Sequence, residues 1–261
     1  MFNKIGIVLA AGKGTRMKSR LPKPLHNIKG KSMLFIIVEK LLKLNLDKIL
    51  IVISGDCARI TNNLNNELHV YLNLDNETIN DKISFIIQQQ TLGTGHAVKC
   101  CLTHLSKYKD YSSLIVFADT PLISYNTLNN ITNMDNECNE CIVGVCNKLN
   151  PFGSGRIILE DDYIINSIEE KDCNEEQRKI TLVNTGIYYI NNKLIIDYID
   201  QIENNNSQKE YYLPDLLLIL IKNKYKVKPF IIQNEIESLN VNTQEDLQNA
   251  IENYNQETKY Y

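Results

Sequence analysis

Leu9-Ala10-Ala11-Gly12-Lys13-Gly14-Thr15-Arg16-Met17 follows directly on the apolar run Ile5-Gly6-Ile7-Val8. An apolar run that ends in glycines reads as a buried strand, here over residues 5–10, that empties into a turn. Glycines in such a turn let backbone N–H groups approach phosphate oxygens, because no Cβ stands in the way. Two common phosphate-binding patterns are excluded. A dinucleotide fingerprint needs glycine at its third position, where Met17 stands. A Walker-type loop ending at Gly30-Lys31-Ser32 needs glycine five residues earlier, at Leu25. What remains is a glycine turn with cations at Lys13, Arg16 and, beyond it, Lys23, which suits a triphosphate.

Outward from this loop the pattern alternates. Ser32 is placed to cap a helix through Leu44, whose Leu34, Ile37, Val38, Leu41 and Leu42 recur at helical spacing. Strands are expected over residues 48–53 and 83–88. Thr94 is placed to cap a helix carrying Ala97, Val98, Cys101, Leu102 and Leu105, and a fourth strand covers 113–118, ending at Asp119. Strands separated by helical segments predict a parallel sheet with helices on both faces. Residues 141–146, 156–159, 163–168 and 182–190 are closely spaced strand patterns, which predict antiparallel or mixed additions. Residues 213–222 read as an apolar helix suited to burial, 226–232 as a strand, and Thr243 with Asp246 opens a last helix reaching about Tyr254. The expectation is an α/β chain with a mostly parallel mixed sheet flanked by helices, forming a single domain over 1–261.

Composition narrows the function classes. The 28 basic and 31 acidic residues leave a formal net charge of −3, so no general field attracts nucleic acid or an anionic membrane. No apolar run approaches the roughly 18 residues that span a bilayer. Met1-Phe2-Asn3-Lys4-Ile5 lacks the features of a signal peptide, so a cytoplasmic chain with reduced thiols is expected. The seven cysteines lie at 57, 100, 101, 138, 141, 146 and 173. Cys138-x-x-Cys141, with Cys146 behind it, lacks the second pair or spaced histidines of a zinc site and reads as small hydrophobes at a helix-to-strand junction.

Further candidates cluster at strand ends. Ligands of open parallel sheets lie outside the carboxyl ends of the strands, where Asp119 and the glycine loop both belong. A carboxylate there suits Mg²⁺ held against phosphates. Gln88 and the Gly93-Thr94 turn reach the same edge, and a glutamine amide can read the edge of a base. His96 reads as a cap or packing residue, His26 as structural, and Tyr211-Tyr212 suit either packing or stacking on a sugar.

In this order, four stretches carry a resemblance: residues 9–17; Leu21-Pro22-Lys23-x-Leu25-His26; Gln88 followed by Leu92-Gly93-Thr94-Gly95-His96-Ala97; and Asp119-x-Pro121-Leu122-Ile123. Pro151-x-Gly153-x-Gly155-Arg156-Ile157, Glu169-x-Lys171-Asp172, Asn184-Thr185-Gly186-Ile187, Glu210-Tyr211-Tyr212-x-x-Asp215 and Val241-Asn242 continue it. From about residue 4 to 250 the chain resembles the uridyltransferase domain of bacterial bifunctional N-acetylglucosamine-1-phosphate uridyltransferase/glucosamine-1-phosphate acetyltransferases. The resemblance implies a Rossmann-like nucleotidyltransferase fold, with a nucleotide-binding half over about 1–120 and a sugar-binding half, carrying the antiparallel extension, over about 121–261. It implies Mg²⁺-dependent transfer of UMP from UTP to N-acetylglucosamine 1-phosphate. Leu9, Ala10, Ala11, Gly12, Gly93 and Thr94 would line the nucleotide, with Gln88 on the uracil. Arg16 and Lys23 would steady the phosphates, Asp119 and Asn242 would bind the metal, and Gly155, Glu169 and Asn184 would hold the acetamido sugar.

Some positions depart from the family pattern. Phe117-Ala118 replaces a usual Tyr-Gly beside the sugar, Pro24 replaces an aliphatic residue, Ser154 a frequent aromatic and Pro214 a threonine. The family's β-helix, which carries the acetyltransferase and forms its trimer, has no counterpart in the hexapeptide pattern here, so neither that activity nor a trimer is expected. Another hexose 1-phosphate, another nucleotide, or a non-catalytic nucleotide-sugar binding module are the alternatives that these departures leave open.

Overall fold

The computed structural model describes residues 3–134 and 141–254. Its strands are β1 (Lys4–Leu9), β2 (Asn27–Ile28), β3 (Lys31–Ser32), β4 (Lys48–Ile53), β5 (Ile83–Ile87), β6 (Ser112–Phe117), β7 (Cys141–Asn147), β8 (Arg156–Glu160), β9 (Tyr163–Ile168), β10 (Leu182–Asn191) and β11 (Val227–Ile231). The α-helices are α1 (Met33–Lys43), α2 (Cys57–Leu72), α3 (Asn76–Lys82), α4 (Thr94–Lys99), α5 (Leu102–Leu105), α6 (Tyr125–Asn133), α7 (Glu175–Arg178), α8 (Asn192–Tyr198), α9 (Pro214–Lys222) and α10 (Gln244–Asn253). None of the described helices is long and apolar enough to cross a membrane.

The main sheet runs β11-β7-β10-β6-β1-β4-β5, with β8 and β9 joined to β10 off this path. β6, β1, β4 and β5 are mutually parallel, as the helical spacers require. β10 is antiparallel to both β6 and β7, and β8 and β9 form a hairpin against it, so the closely spaced strands of the second half supply the antiparallel extension. β11 lies parallel to β7.

Alternation along β1 sends Ile5, Ile7 and Leu9 into one core layer and Val8 into the other. The first layer includes Val98 and Leu105 with Leu213, Leu216, Leu217 and Leu220. The second includes α1 and α2 through residues such as Leu34, Val38 and Leu64. Ser32 caps α1 by accepting the Phe35 N–H, and Thr243 and Asp246 form a reciprocal capping box on α10. Cys141 and Cys146 point into opposite layers from β7, while Cys138 lies outside the described residues.

Two local expectations are corrected. Thr94 does not cap α4: Gly93 precedes the helix, and the Thr94 hydroxyl instead accepts the Leu213 N–H at 2.9 Å. The expected single helix after residue 94 is broken between Lys99 and Leu102 into α4 and α5. The long helix α2 carries only a thin apolar face, Ile60, Leu64 and Leu68, among polar residues, so its periodicity is weak in the sequence.

Candidate active site

β1 lies between β6 and β4, so chain leaving its carboxyl end enters the middle of the sheet edge. Leu9 is in register with Phe117, and the Ala118 N–H donates to the Leu9 carbonyl at 3.0 Å. The glycine loop and Asp119 therefore start side by side. Gln88 joins the same edge one residue past β5, its N–H donating to the Ile53 carbonyl at 2.8 Å. The loop is tethered at both ends. Ser54 Oγ donates to the Ala11 carbonyl at 2.6 Å, and Met17, where a third glycine was lacking, is buried with Ile28, Met33, Ile36, Val241 and Tyr254. Gln244 Nε2 also donates to the Met17 carbonyl at 2.9 Å.

Lys23 is the centre of the arrangement. Its ammonium donates to Asp119 Oδ2 and, at 2.8 Å, to Asn242 Oδ1. Arg16 Nη2 reaches the same Asn242 oxygen at 3.0 Å. Asn242 is brought there because the Val241 N–H donates to the Asp119 carbonyl at 2.8 Å and Asp246 accepts the Asn242 N–H at 2.9 Å. A short helical turn holds Lys23 itself, with its carbonyl accepting the His26 N–H at 3.2 Å. Asp119 Oδ2 and Asn242 Oδ1 thus already converge on one cation. A carboxylate and an amide oxygen are hard donors of the type Mg²⁺ takes, so this pair fits that ion.

The Gly93 turn is built on the Tyr211 backbone. Tyr211 donates its N–H to the Leu92 carbonyl at 2.8 Å and accepts the Gly95 N–H at 2.8 Å. Gly93 has φ +113°, and a Cβ there would lie 2.5 Å from the Tyr211 carbonyl oxygen, so only glycine fits. The two motifs Leu92–Ala97 and Glu210–Asp215 are one unit in space.

On the far side, Asn184 and Gly186 sit at a register break in β10. The Asn184 N–H donates to the Gly155 carbonyl at 2.9 Å, and a Cβ on Gly155 would lie 3.3 Å from Glu169 Oε1. Gly155, Glu169 and Asn184 are therefore neighbours. The Asn184 amide is partly committed, donating to the Tyr188 hydroxyl and accepting the Gly186 N–H, each at 2.9 Å. Phe117 packs against Gly186, where an added Cβ would meet its ring at 2.8 Å. Burial first, then Asp215 and Asp172, pushes the Glu169 carboxyl up to about 7. Arg156 is buried and pairs with Glu170 at 2.7 Å, while Glu170 also accepts the Gly153 N–H at 3.1 Å.

A cleft of about 1200 Å³ joins these groups. Leu9, Ala10, Ala11, Gly12, Arg16, Lys23, Gln88, Gly93, Thr94, Phe117, Ala118, Asp119, Glu169 and Asn242 line it. Gly155 and Asn184 stand behind Glu169 instead of on the wall. The wall also holds residues that sequence reasoning did not single out, including Phe152, Arg178 and Gln208. Phe152 had a signal: a large apolar residue between Pro151 and Gly153, two positions from Ser154, and it is 81% exposed. Arg178 and Gln208 lie in polar segments without periodicity, which offer none.

The nucleotidyl transferase family profile matches residues 5–254. A protein of Acanthamoeba polyphaga mimivirus described as "Probable UDP-N-acetylglucosamine pyrophosphorylase" is 40% identical over 246 residues, covering 92% of each chain. The bifunctional protein GlmU of Staphylococcus epidermidis is 34% identical over 238 residues, 90% of this chain and 49% of that one, so the chain spans about half the length of such bifunctional relatives. The crystal structure of a UDP-glucose pyrophosphorylase complexed with UDP-glucose superposes with a TM-score of 0.69 at 22% identity, covering 88% of this chain and 91% of that one; the likeness is one of fold.

Proposed function

The chain belongs to the nucleotidyl transferase family, and from that membership and the cleft we propose that it transfers UMP from UTP to N-acetylglucosamine 1-phosphate, releasing pyrophosphate. The observation that carries the reading is the Lys23 ammonium shared by Asp119 and Asn242 at the mouth of the glycine loop, with Arg16 on the same amide oxygen. Two cations and two hard oxygen donors beside exposed backbone form a site for polyphosphate rather than for a neutral ligand.

The reaction needs no protein nucleophile. A phosphate oxygen of the sugar 1-phosphate attacks the α-phosphorus of the nucleotide, the α–β bridging bond breaks, and pyrophosphate leaves with the electron pair. Catalysis by the chain is positioning and charge neutralisation. Arg16 and Lys23 meet the negative charge of the phosphates, and the open backbone at Gly12 lets the triphosphate approach closely. Gln88 and the Gly93-Thr94 turn orient the base, and Glu169, backed by Gly155 and Asn184, accepts sugar hydroxyl or amide protons. Asp119 and Asn242 would hold Mg²⁺, which when bound supplies a hard positive charge to the phosphate oxygens. A neutral amide and a single carboxylate leave positions for water and phosphate, as that ion favours.

The test is pyrophosphate release from UTP with a panel of sugar 1-phosphates. Turnover of N-acetylglucosamine 1-phosphate above the others, abolished in Asp119→Ala, is expected. Preference for glucose 1-phosphate would move the substrate assignment, and binding of nucleotide sugar without turnover would replace the enzyme by a binding module.

A further inference from the structure

His96 follows the glycine turn but takes no part in the chemistry above. Its ring lies beside that of Tyr211, tilted by 37° with centroids 6.4 Å apart, and its Nδ1 lies 2.9 Å from Gln88 Nε2. The same Gln88 nitrogen donates to the Gly93 carbonyl at 3.1 Å. A backbone carbonyl only accepts, so the arm of the amide facing Gly93 is the NH₂. With one of its protons on Gly93, the other is directed at His96 Nδ1, which therefore presents a lone pair and carries its proton on Nε2. Both donors of the Gln88 amide are consumed inside the protein. Among the described residues its carbonyl oxygen has no hydrogen-bond partner, and Gln88 lines the cleft.

We infer that His96 is a specificity-determining positioning residue: its unprotonated Nδ1 locks the Gln88 amide so that only an acceptor faces the base, which selects a pyrimidine offering an N3–H over one offering a lone pair there. This rests on the reading of the cleft as the site of a pyrimidine nucleotide. Uracil has a proton at N3. Cytosine in the same pose sets its N3 lone pair against the glutamine oxygen. Were His96 protonated, Nδ1 would become a donor, would repel the NH₂, and would favour the flipped amide that donates to the base.

The surroundings keep the ring neutral. Burial and then the neighbouring Lys99 hold the His96 pKa below the ordinary histidine value. Lys99 is on the same helix and pairs with Asp200 at 2.8 Å, and the charged and titratable groups lining a cavity of about 410 Å³ with His96 are Lys99, Asp200, Glu203 and Tyr211.

The experiment measures kcat/KM for UTP and for CTP with one sugar 1-phosphate, in the full chain and in His96→Phe, His96→Asn and Gln88→Leu. The ratio of the two nucleotides cancels effects on the triphosphate. His96→Phe is expected to lower the UTP:CTP ratio about tenfold, mainly through the KM for UTP, the scale of one net hydrogen bond. His96→Asn, whose Oδ1 can take the place of Nδ1, is expected to restore most of it. In the unaltered chain the ratio is expected to fall as pH drops below the ordinary histidine range, and the step is expected to vanish in His96→Asn. An unchanged ratio in His96→Phe, with a reduced one in Gln88→Leu, overturns the role of His96 while leaving the base reading in place. Equal loss in both His96 variants also overturns it, because packing on Tyr211 would then be the cause. A ratio unmoved in Gln88→Leu removes the base reading and the inference with it. If no sugar 1-phosphate turns over, the same ratio is read from UTP and CTP binding by calorimetry, with the same outcomes.

Discussion

Gly14 and Lys23 are packed so closely that a Cβ added to Gly14 would lie 2.7 Å from the Lys23 Cβ. Gly14 also has φ +62°, a backbone conformation that costs an L side chain about 1 kcal/mol or more. The glycine turn therefore sets the root of the lysine whose ammonium meets Asp119 and Asn242. Gly14→Ala is expected to displace Lys23 and lower kcat by roughly a hundredfold, a loss of the size seen when a transition-state charge contact is removed. Steady-state pyrophosphate release checks it; kcat within threefold of the parent would show that Lys23 takes its place independently of the turn.

Gly12 makes the complementary case. Among the described residues, no atom beyond the glycine and its chain neighbours lies within 4 Å of a Cβ built there, and its φ is outside the left-handed region. Gly12→Ala should leave melting temperature unchanged or slightly raised, since the unfolded chain loses freedom. If the nucleotide approaches this backbone, the methyl occupies its space, and KM for UTP is expected to rise about tenfold, a change of roughly 1.4 kcal/mol. An unaltered KM would place the triphosphate elsewhere.

These two glycines also mark what was legible beforehand. The 9–17 loop, the parallel strands and Asp119 were readable because strand, turn and strand end are local patterns. Partners far along the chain were not. Thr94 has the ordinary signature of a helix cap, yet its hydroxyl serves the N–H of Leu213, which arrives from the other half of the sequence. Met17 read as the failure of a dinucleotide motif, and only the folded chain shows it as the plug that ties the loop to α10 and Tyr254. Lys40 is a polar residue on the apolar helix α1. It donates to the carbonyls of Pro121 and Ile123, at 2.9 and 2.6 Å, and so steadies the segment after Asp119. Nothing in local periodicity marks such a contact.

The Arg156–Glu170 pair should be the most sensitive polar contact on the sugar side. Arg156 is 1% exposed, and Glu170 accepts from it at 2.7 Å and from the Gly153 N–H at 3.1 Å. Removing one partner leaves a buried charge, which costs about 3–5 kcal/mol. Glu170→Ala is expected to lose stability on that scale in denaturant unfolding, while Glu170→Gln, which keeps both acceptor contacts, should lose less. Because Gly153 and Phe152 line the cleft, the alanine change should also raise the KM for the sugar phosphate. Equal stability of all three proteins would mean that the guanidinium is satisfied by the Ser154 and Arg178 carbonyls alone.

Glu169 gives a pH dependence with a defined sign. Its carboxyl rises from the ordinary 4.5 to about 7, first through burial and then through Asp215 and Asp172, and Asp215 itself rises to about 6 through burial and Asp172. A carboxyl whose folded pKa is raised binds its proton more tightly in the folded chain. Its contribution to stability is complete below the unfolded value and is lost as pH climbs through the folded one. Relative to Glu169→Gln, the unaltered protein should thus lose stability progressively between about pH 4.5 and about pH 7, and no further above that window. Measuring the difference between the two proteins cancels the titration of groups they share, apart from the smaller rise of Asp215, whose coupling to Glu169 is relieved in the variant. Chemical denaturation across this range checks it. A difference that stays constant with pH, or that grows in favour of the unaltered protein as pH rises, would show that the folded chain accommodates the Glu169 charge as readily as water does.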